Sequence, residues 1–313
     1  MIQFLGAMKA LVTGAAGFIG SHLTDELLKR GWKVLAVDIA DDVPNLKHIR
    51  NNDFEYRTVD VSVTDIVTEQ MKGCDMVFHL AANSDTREGS VRPEIDINKT
   101  LFTTLSVLEA MRRSGVKRLF FSSSSAVYGD VGNIAVKEDF DGHPISYYGA
   151  AKLSSESLIS SYAYMNSIDS LVFRFPNVVG PRLTHGVIFD FINKLKENDK
   201  ELEVLGDGKQ SKQYVHVYDL VNAIVDFSVD MGAGMEIYNV STDSFATVNE
   251  IADMTCARLG LKNVKYNYTG GSCGWKGDVS TFTLDASKAK AKGWKFNYDS
   301  KGSIKKTLDE MVI

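Results

Sequence analysis

The run K-A-L-V-T-G-A-A-G-F-I-G at residues 9–20 constrains the fold of this chain more than any other segment. Residues 9–12 form a short apolar strand, the glycines make a turn, and residues 21–30 read as an amphipathic helix. Gly14, Gly17 and Gly20 permit the tight turn, let backbone approach a pyrophosphate, and pack the helix against the strand. The N–H groups at the helix start then face the phosphates. The spacing is G-x-x-G-x-x-G, one residue longer than the basic dinucleotide fingerprint.

A second apolar strand, residues 33–37, ends in Asp38, about where a ribose-binding carboxylate belongs. An ordinary strand-end or helix-capping aspartate is the plainer reading of that residue. Ile39, Ala40, Asp41 and Asp42 offer no cation for a 2′-phosphate, which favours NAD over NADP. Further strand-like runs fall at residues 56–59, 76–80, 119–122 and 171–175, separated by amphipathic stretches that include 95–113 and 147–165. This alternation predicts an α/β fold, a Rossmann-type doubly wound parallel sheet covered on both faces. After about Pro176 the pattern loosens. The expected division is an NAD-binding domain at 8–176 and a smaller α/β substrate-binding part at 177–313. A strand and helix near 213–229 are expected to pack back onto the first domain.

Tyr148 and Lys152 stand four apart in Y-Y-G-A-A-K and so share one helix face. An ammonium there is expected to favour the phenolate and lower a pKa that is about 10 in a model peptide. A phenol tuned that way is a general base for an alcohol proton. The serines at 122–125 follow an apolar strand, so their hydroxyls emerge at the carboxyl edge of the sheet, where open α/β folds bind ligands.

With these motifs go D-V at Asp60 and Val61, H-L-A-A from His79 to Ala82, and R-F-P-N-V-V-G-P-R from Arg174. Further on come G-D-G-K-Q-S-K-Q-Y-V-H-V-Y-D from Gly206, G-D-V at Gly277 and K-G-W-K-F near the C-terminus. In order and spacing the chain resembles the extended short-chain dehydrogenases/reductases. Within them it is similar to the NAD-dependent nucleotide-sugar epimerase/dehydratase group, typified by UDP-glucose 4-epimerase. The resemblance implies that Ser124 is the catalytic hydroxyl, Tyr148 the base, and Lys152 the group that tunes the tyrosine and holds the nicotinamide ribose. It places Phe18, Ile19, Asp60, Val61, Leu80, Ala81, Ala82, Asn98, Ser122 and Pro176 around NAD. Ser84, Asn177, Lys212 and Trp275 fall on the substrate, together with Ser124 and Tyr148. His79 reads as structural.

Two positions depart from the family pattern. Lys212 stands where an arginine is usual, keeping the charge but losing the two-pronged geometry. Trp275 stands at a second arginine position, where neighbouring Lys276 supplies the charge or the indole stacks on a base. Relatives that eliminate water or decarboxylate carry a carboxylate just after the catalytic hydroxyl. Here those positions are Ser125 and Ala126, which cannot serve as carboxyl acids or bases. Oxidation of carbon 4, rotation of the 4-keto sugar and hydride return is the cycle that remains, a 4-epimerisation. A nucleotide-sugar dehydrogenase or reductase, or a non-catalytic NAD-binding module, are the other readings.

The 313 residues carry a net charge of −5, which gives no basic footprint for nucleic acid. Cys74, Cys256 and Cys273 lack metal-type spacing and read as reduced thiols of a cytoplasmic protein. Residues 1–7 are too short for a signal peptide, and no stretch is long and apolar enough for a membrane span. The resemblance implies a homodimer through the helices at 95–113 and 147–165.

Overall fold

Near-continuous burial along the apolar runs builds one seven-stranded sheet. The structure, a computed structural model, describes residues 7–271, 277, 279 and 281–312. The strands are β1 (Lys9–Thr13), β2 (Lys33–Asp38), β3 (Phe54–Thr58), β4 (Met76–His79), β5 (Arg118–Ser122), β6 (Asp169–Arg174) and β7 (Met235–Asn239). They lie in the order β3-β2-β1-β4-β5-β6-β7, with parallel pairing from β3 across to β6. The expected Rossmann-type α/β fold is therefore present.

Side chains alternate between the two faces of the sheet. Leu11, Leu35, Val77, Leu119, Phe121 and Val172 pack on one face with Val67 and Met71 of α2 (Thr64–Met71). Val107, Leu108 and Met111 of α3 (Thr103–Ser114) and Ile159 of α4 (Tyr147–Asn166) join the same cluster. The other face carries a row of rings. Phe78 meets Phe120 at 6.0 Å, Phe120 meets Phe173 at 5.4 Å, and Phe173 meets Phe227 at 5.3 Å, the last two edge to face. Both faces are covered, as a parallel sheet requires.

The helix expected at 95–113 is interrupted. Pro93–Asp96 is a short α-turn, Ile97–Phe102 is a π-turn, and α3 runs from Thr103 to its left-handed cap at Gly115.

The chain divides into two compact units. The larger takes the chain up to Val127, Tyr147–Arg174 and Val221–Tyr238. The smaller takes Tyr128–Ser146, Phe175–Leu220 and the chain from Asn239 on. The strand expected near 213 to pack back on the sheet, Tyr214–His216, pairs instead with Asn177–Val179 inside the smaller unit. The sheet's last strand is β7, preceded by α5 (Val217–Val229). The smaller unit has its own core, in which Phe191, Ile192 and Leu195 meet Ile251, Ala252, Ile304 and Leu308. No helix among the described residues is long and apolar enough to cross a membrane.

Candidate active site

Four neighbouring strands of the larger unit end together. β1 stops at Thr13, β2 at Asp38, β4 at His79 and β5 at Ser122. The register sets Thr13 opposite both Val37 and His79, and His79 opposite Phe121. Strand order reverses between β1 and β4, which opens a crevice beyond their carboxyl ends.

The crevice is lined with backbone. Gly14 has a φ of 68°, and a Cβ there would come within 2.7 Å of the Ala81 nitrogen. A Cβ on Gly20 would run into the Gly14 carbonyl. Gly17 begins α1 (Phe18–Lys29) with no side-chain cap, so the first N–H groups remain available to an anion. Phe18 and Ile19 are half-buried in that first turn. The Asp38 carboxylate accepts from the Ala16 N–H at 3.0 Å and the Ala40 N–H at 3.3 Å. A bare glycine cradle, an open helix start and a carboxylate ending β2 fit a dinucleotide with free ribose hydroxyls.

Leu80, Ala81 and Ala82 are half-buried opposite that turn, and Thr13 fastens them. Its hydroxyl oxygen accepts from the N–H groups of Leu80 and Ala81, each at 3.2 Å. Its proton then points to His79 Nδ1 at 2.8 Å, which leaves Nε2–H to donate to the Thr104 hydroxyl at 3.1 Å. Burial and the nearby Lys152 push His79 down to about 3, so the ring is neutral. His79 braces the crevice.

Asp60 is exposed, accepting from the Ser62 N–H at 2.9 Å, and Val61 is buried. Asn98 sits on the π-turn and is exposed, whereas Asp96 and Thr100 turn inward. Ser84 is exposed on a turn that Asn83 holds, donating to the Asp85 carbonyl and to Asp96 Oδ1, both at 2.9 Å. Burial raises the Asp96 carboxyl, with the Asn83 hydrogen bond opposing.

The structure brings Ser124, Tyr148 and Lys152 together. Ser124 shares a hydrogen bond with the Tyr148 phenol and accepts from the Ala126 N–H at 3.2 Å. Lys152 is only 2% exposed. Its ammonium donates to the Ser122 carbonyl at 2.6 Å, 4.7 Å from the centre of the Phe121 ring and 5.8 Å from that of Tyr148.

One expectation is overturned here. Lys152 does not pull the phenol down. Burial pushes Tyr148 up to about 12, Ser124's hydrogen bond opposes, and the Asp96 charge adds to the rise. Burial also brings Lys152 down to about 7, with Glu156 opposing. The lysine bonds the Ser122 carbonyl rather than the phenol oxygen, and desolvation sets the direction at Tyr148.

Behind these residues lies a group that sequence reasoning passed over. The Ser123 hydroxyl donates to Glu156 Oε1. Arg174 donates to the same carboxylate through Nε at 3.0 and 3.2 Å and Nη2 at 2.6 Å. Spacing was the available signal, since Glu156 follows Lys152 by another turn.

The remaining candidates belong to the smaller unit. Pro176 is half-buried, and Asn177 is exposed at the start of the strand paired with Tyr214–His216. Lys212 is half-buried on a two-residue strand, opposite Ala246. Trp275 and Lys276 lie outside the described residues.

A family model, the NAD dependent epimerase/dehydratase family, matches residues 10–241. A putative UDP-glucose 4-epimerase of Methanocaldococcus jannaschii is 31% identical, over 96% of this chain and 97% of that protein. The crystal structure of a UDP-galactose 4-epimerase is 36% identical with a TM-score of 0.86, covering 97% of this chain and 98% of the other. The UDP-N-acetylglucosamine 4-epimerase of Methanobrevibacter ruminantium is 26% identical, also with a TM-score of 0.86, covering 98% of each chain. Together with the glycine cradle and Asp38, these likenesses mean that the chain belongs to the NAD-dependent epimerase/dehydratase family, with NAD as its cofactor.

Proposed function

We propose that this protein interconverts nucleotide sugars epimeric at carbon 4, of the UDP-glucose/UDP-galactose type. The observation that carries this reading is the cluster of Ser124, Tyr148 and Lys152 with Ser125 and Ala126 following the serine. A hydroxyl, a phenol and an ammonium move a proton on and off a sugar hydroxyl. No carboxyl stands next to Ser124 to expel water from carbon 5 and 6, as a dehydratase requires.

NAD supplies the hydride acceptor and donor. Tyr148 takes the proton of the sugar hydroxyl and later returns it. Ser124 orients that hydroxyl and then the ketone oxygen. Lys152 contributes a positive charge near the phenolate and a donor for the cofactor ribose. Phe18, Ile19, Asp60, Val61, the 80–82 segment, Ser122, Asn98 and Pro176 complete the cofactor side of the proposal. Ser84, Asn177, Lys212 and Trp275 complete the substrate side. The homodimer and a cytoplasmic location belong to the same reading. Phe102 and Leu105, large apolar side chains exposed near and on α3, support the dimer.

Proton NMR of UDP-galactose incubated with the protein and no added cofactor tests the reading, beside a Tyr148→Phe control. UDP-glucose should appear with the unaltered protein alone. If N-acetyl and uronate sugars convert instead, the substrate changes and the chemistry stays. If nothing converts even with NAD added, 4-epimerisation is abandoned.

A further inference from the structure

Ser122, Ser123 and Ser124 leave the end of β5 in sequence, and three residues one helical turn apart on α4 meet them. Tyr148 meets the Ser124 hydroxyl, Lys152 the Ser122 carbonyl, and Glu156 the Ser123 hydroxyl. The first two pairs serve the proposed proton transfer. The third, which has no part in it, is a deeply buried ion pair: Glu156 is 3% exposed and Arg174, at the end of β6, is 5% exposed. Such a pair loses the hydration of both ions and is often no more stabilising than apolar residues of the same volume. Stability alone does not account for its place one turn behind Lys152.

We propose that Glu156 is a positioning residue for Lys152: locked by Arg174 and Ser123, it fixes α4 against the end of β5 and presents negative charge to the buried ammonium. The proposal rests on the reading of Lys152 as part of the active site and deepens it. The groups facing Lys152 are few. Neutral His79 comes from β4, the Phe121 ring and the Ser122 carbonyl from β5, and Tyr148 and Glu156 from its own helix. Arg174 stands behind Glu156 on β6, and the charge of Asp96 reaches Tyr148 from residues 93–96. Of these, Glu156 is the anion that favours the charged lysine against burial.

The decisive variant is Glu156→Gln/Arg174→Gln in the full chain. Glu156→Gln alone leaves the Arg174 guanidinium buried without this carboxylate and endangers the fold. The double variant removes both charges together and should fold. Lys152 is followed by NMR of protein labelled at the lysine ε carbon, its signal assigned with Lys152→Met. The titration midpoint of Lys152 should fall by roughly one pH unit in the double variant. The break in the pH–rate profile should move the same way. A folded double variant with an unmoved Lys152 midpoint overturns the proposal. A moved midpoint in a protein that converts no nucleotide sugar supports the positioning role and removes the functional reading instead.

Discussion

Glu156 in the larger unit and Glu250 in the smaller are held by matching sets of bonds in opposite surroundings. Glu156 accepts from a serine hydroxyl and an arginine. Glu250 accepts from the Thr247 N–H at 2.8 Å, closing a capping box, and from Lys301 at 2.7 Å. The first carboxylate is almost wholly buried; the side chains of the second pair are 40% and 53% exposed. Water screens the second pair and leaves it a local helix-end device. Water does not screen the first, and its charge favours the ammonium of Lys152. The same chemistry caps a helix in one unit and tunes a buried lysine in the other. Burial decides which.

The sharpest break of that contrast is Tyr148→Phe. Losing a positioned general base should lower conversion by about 10²- to 10⁴-fold. Heat-induced unfolding should stay close to that of the unaltered protein, because the phenol's described hydrogen bond is to one serine. A variant within tenfold of normal rate would remove Tyr148 from the chemistry.

Arg174→Met comes next and acts on stability. It leaves a carboxylate buried without its guanidinium, which should cost about 3–5 kcal/mol in urea unfolding. A loss below about 1 kcal/mol would mean that water reaches Glu156, and the contrast with Glu250 would collapse.

These residues also show how far the sequence could be read. The placement of Gly14, Gly20 and Asp38 was legible because strand, turn and helix each impose a local period. Tyr148 and Lys152 were legible for the same reason. Spacing, however, says which residues share a face and not what covers it. The direction of the Tyr148 shift was therefore misjudged. Glu156 was passed over because its partners lie 18 and 33 residues away, beyond any helical period. The π-turn at Ile97–Phe102 carries no glycine or proline to mark it, and one helix was expected there. Asn177 and Lys212 sit on strands of three and two residues, too short to show an alternation that would orient a side chain.

A pH–rate profile sharpens the contrast at an effect of tenfold per unit. In the proposed cycle the active form carries the Tyr148 phenolate and the Lys152 ammonium together. Below about 7 the lysine is fully charged, and the phenolate fraction grows tenfold with each unit of pH. Between about 7 and about 12 the phenolate still grows tenfold per unit, but the ammonium shrinks by the same factor. The product is level. The logarithm of the rate should therefore climb with unit slope to about pH 7 and run flat above it. Lys152→Met should erase the break at a lower rate. A bell-shaped profile falling above pH 8 would show that a further group titrates in the cycle.

The smallest effect belongs to Lys301→Met. Its ammonium meets Glu250 at 2.7 Å, close to the 2.6 Å from Arg174 Nη2 to Glu156. Distance alone would rank the two pairs as near equals. Exposure separates them, because both groups of the Lys301 pair keep much of their hydration and Lys301 gives up rotamer freedom to hold its place. Glu250 also keeps its bond to the Thr247 N–H when the lysine is gone, so the helix Val248–Arg258 retains its cap. Urea unfolding of Lys301→Met should therefore differ from the unaltered protein by less than about 0.5 kcal/mol, and the difference should vanish in molar salt. A loss of about 2 kcal/mol or more, the scale of a desolvated pair, would show that this carboxylate is shielded from water as Glu156 is.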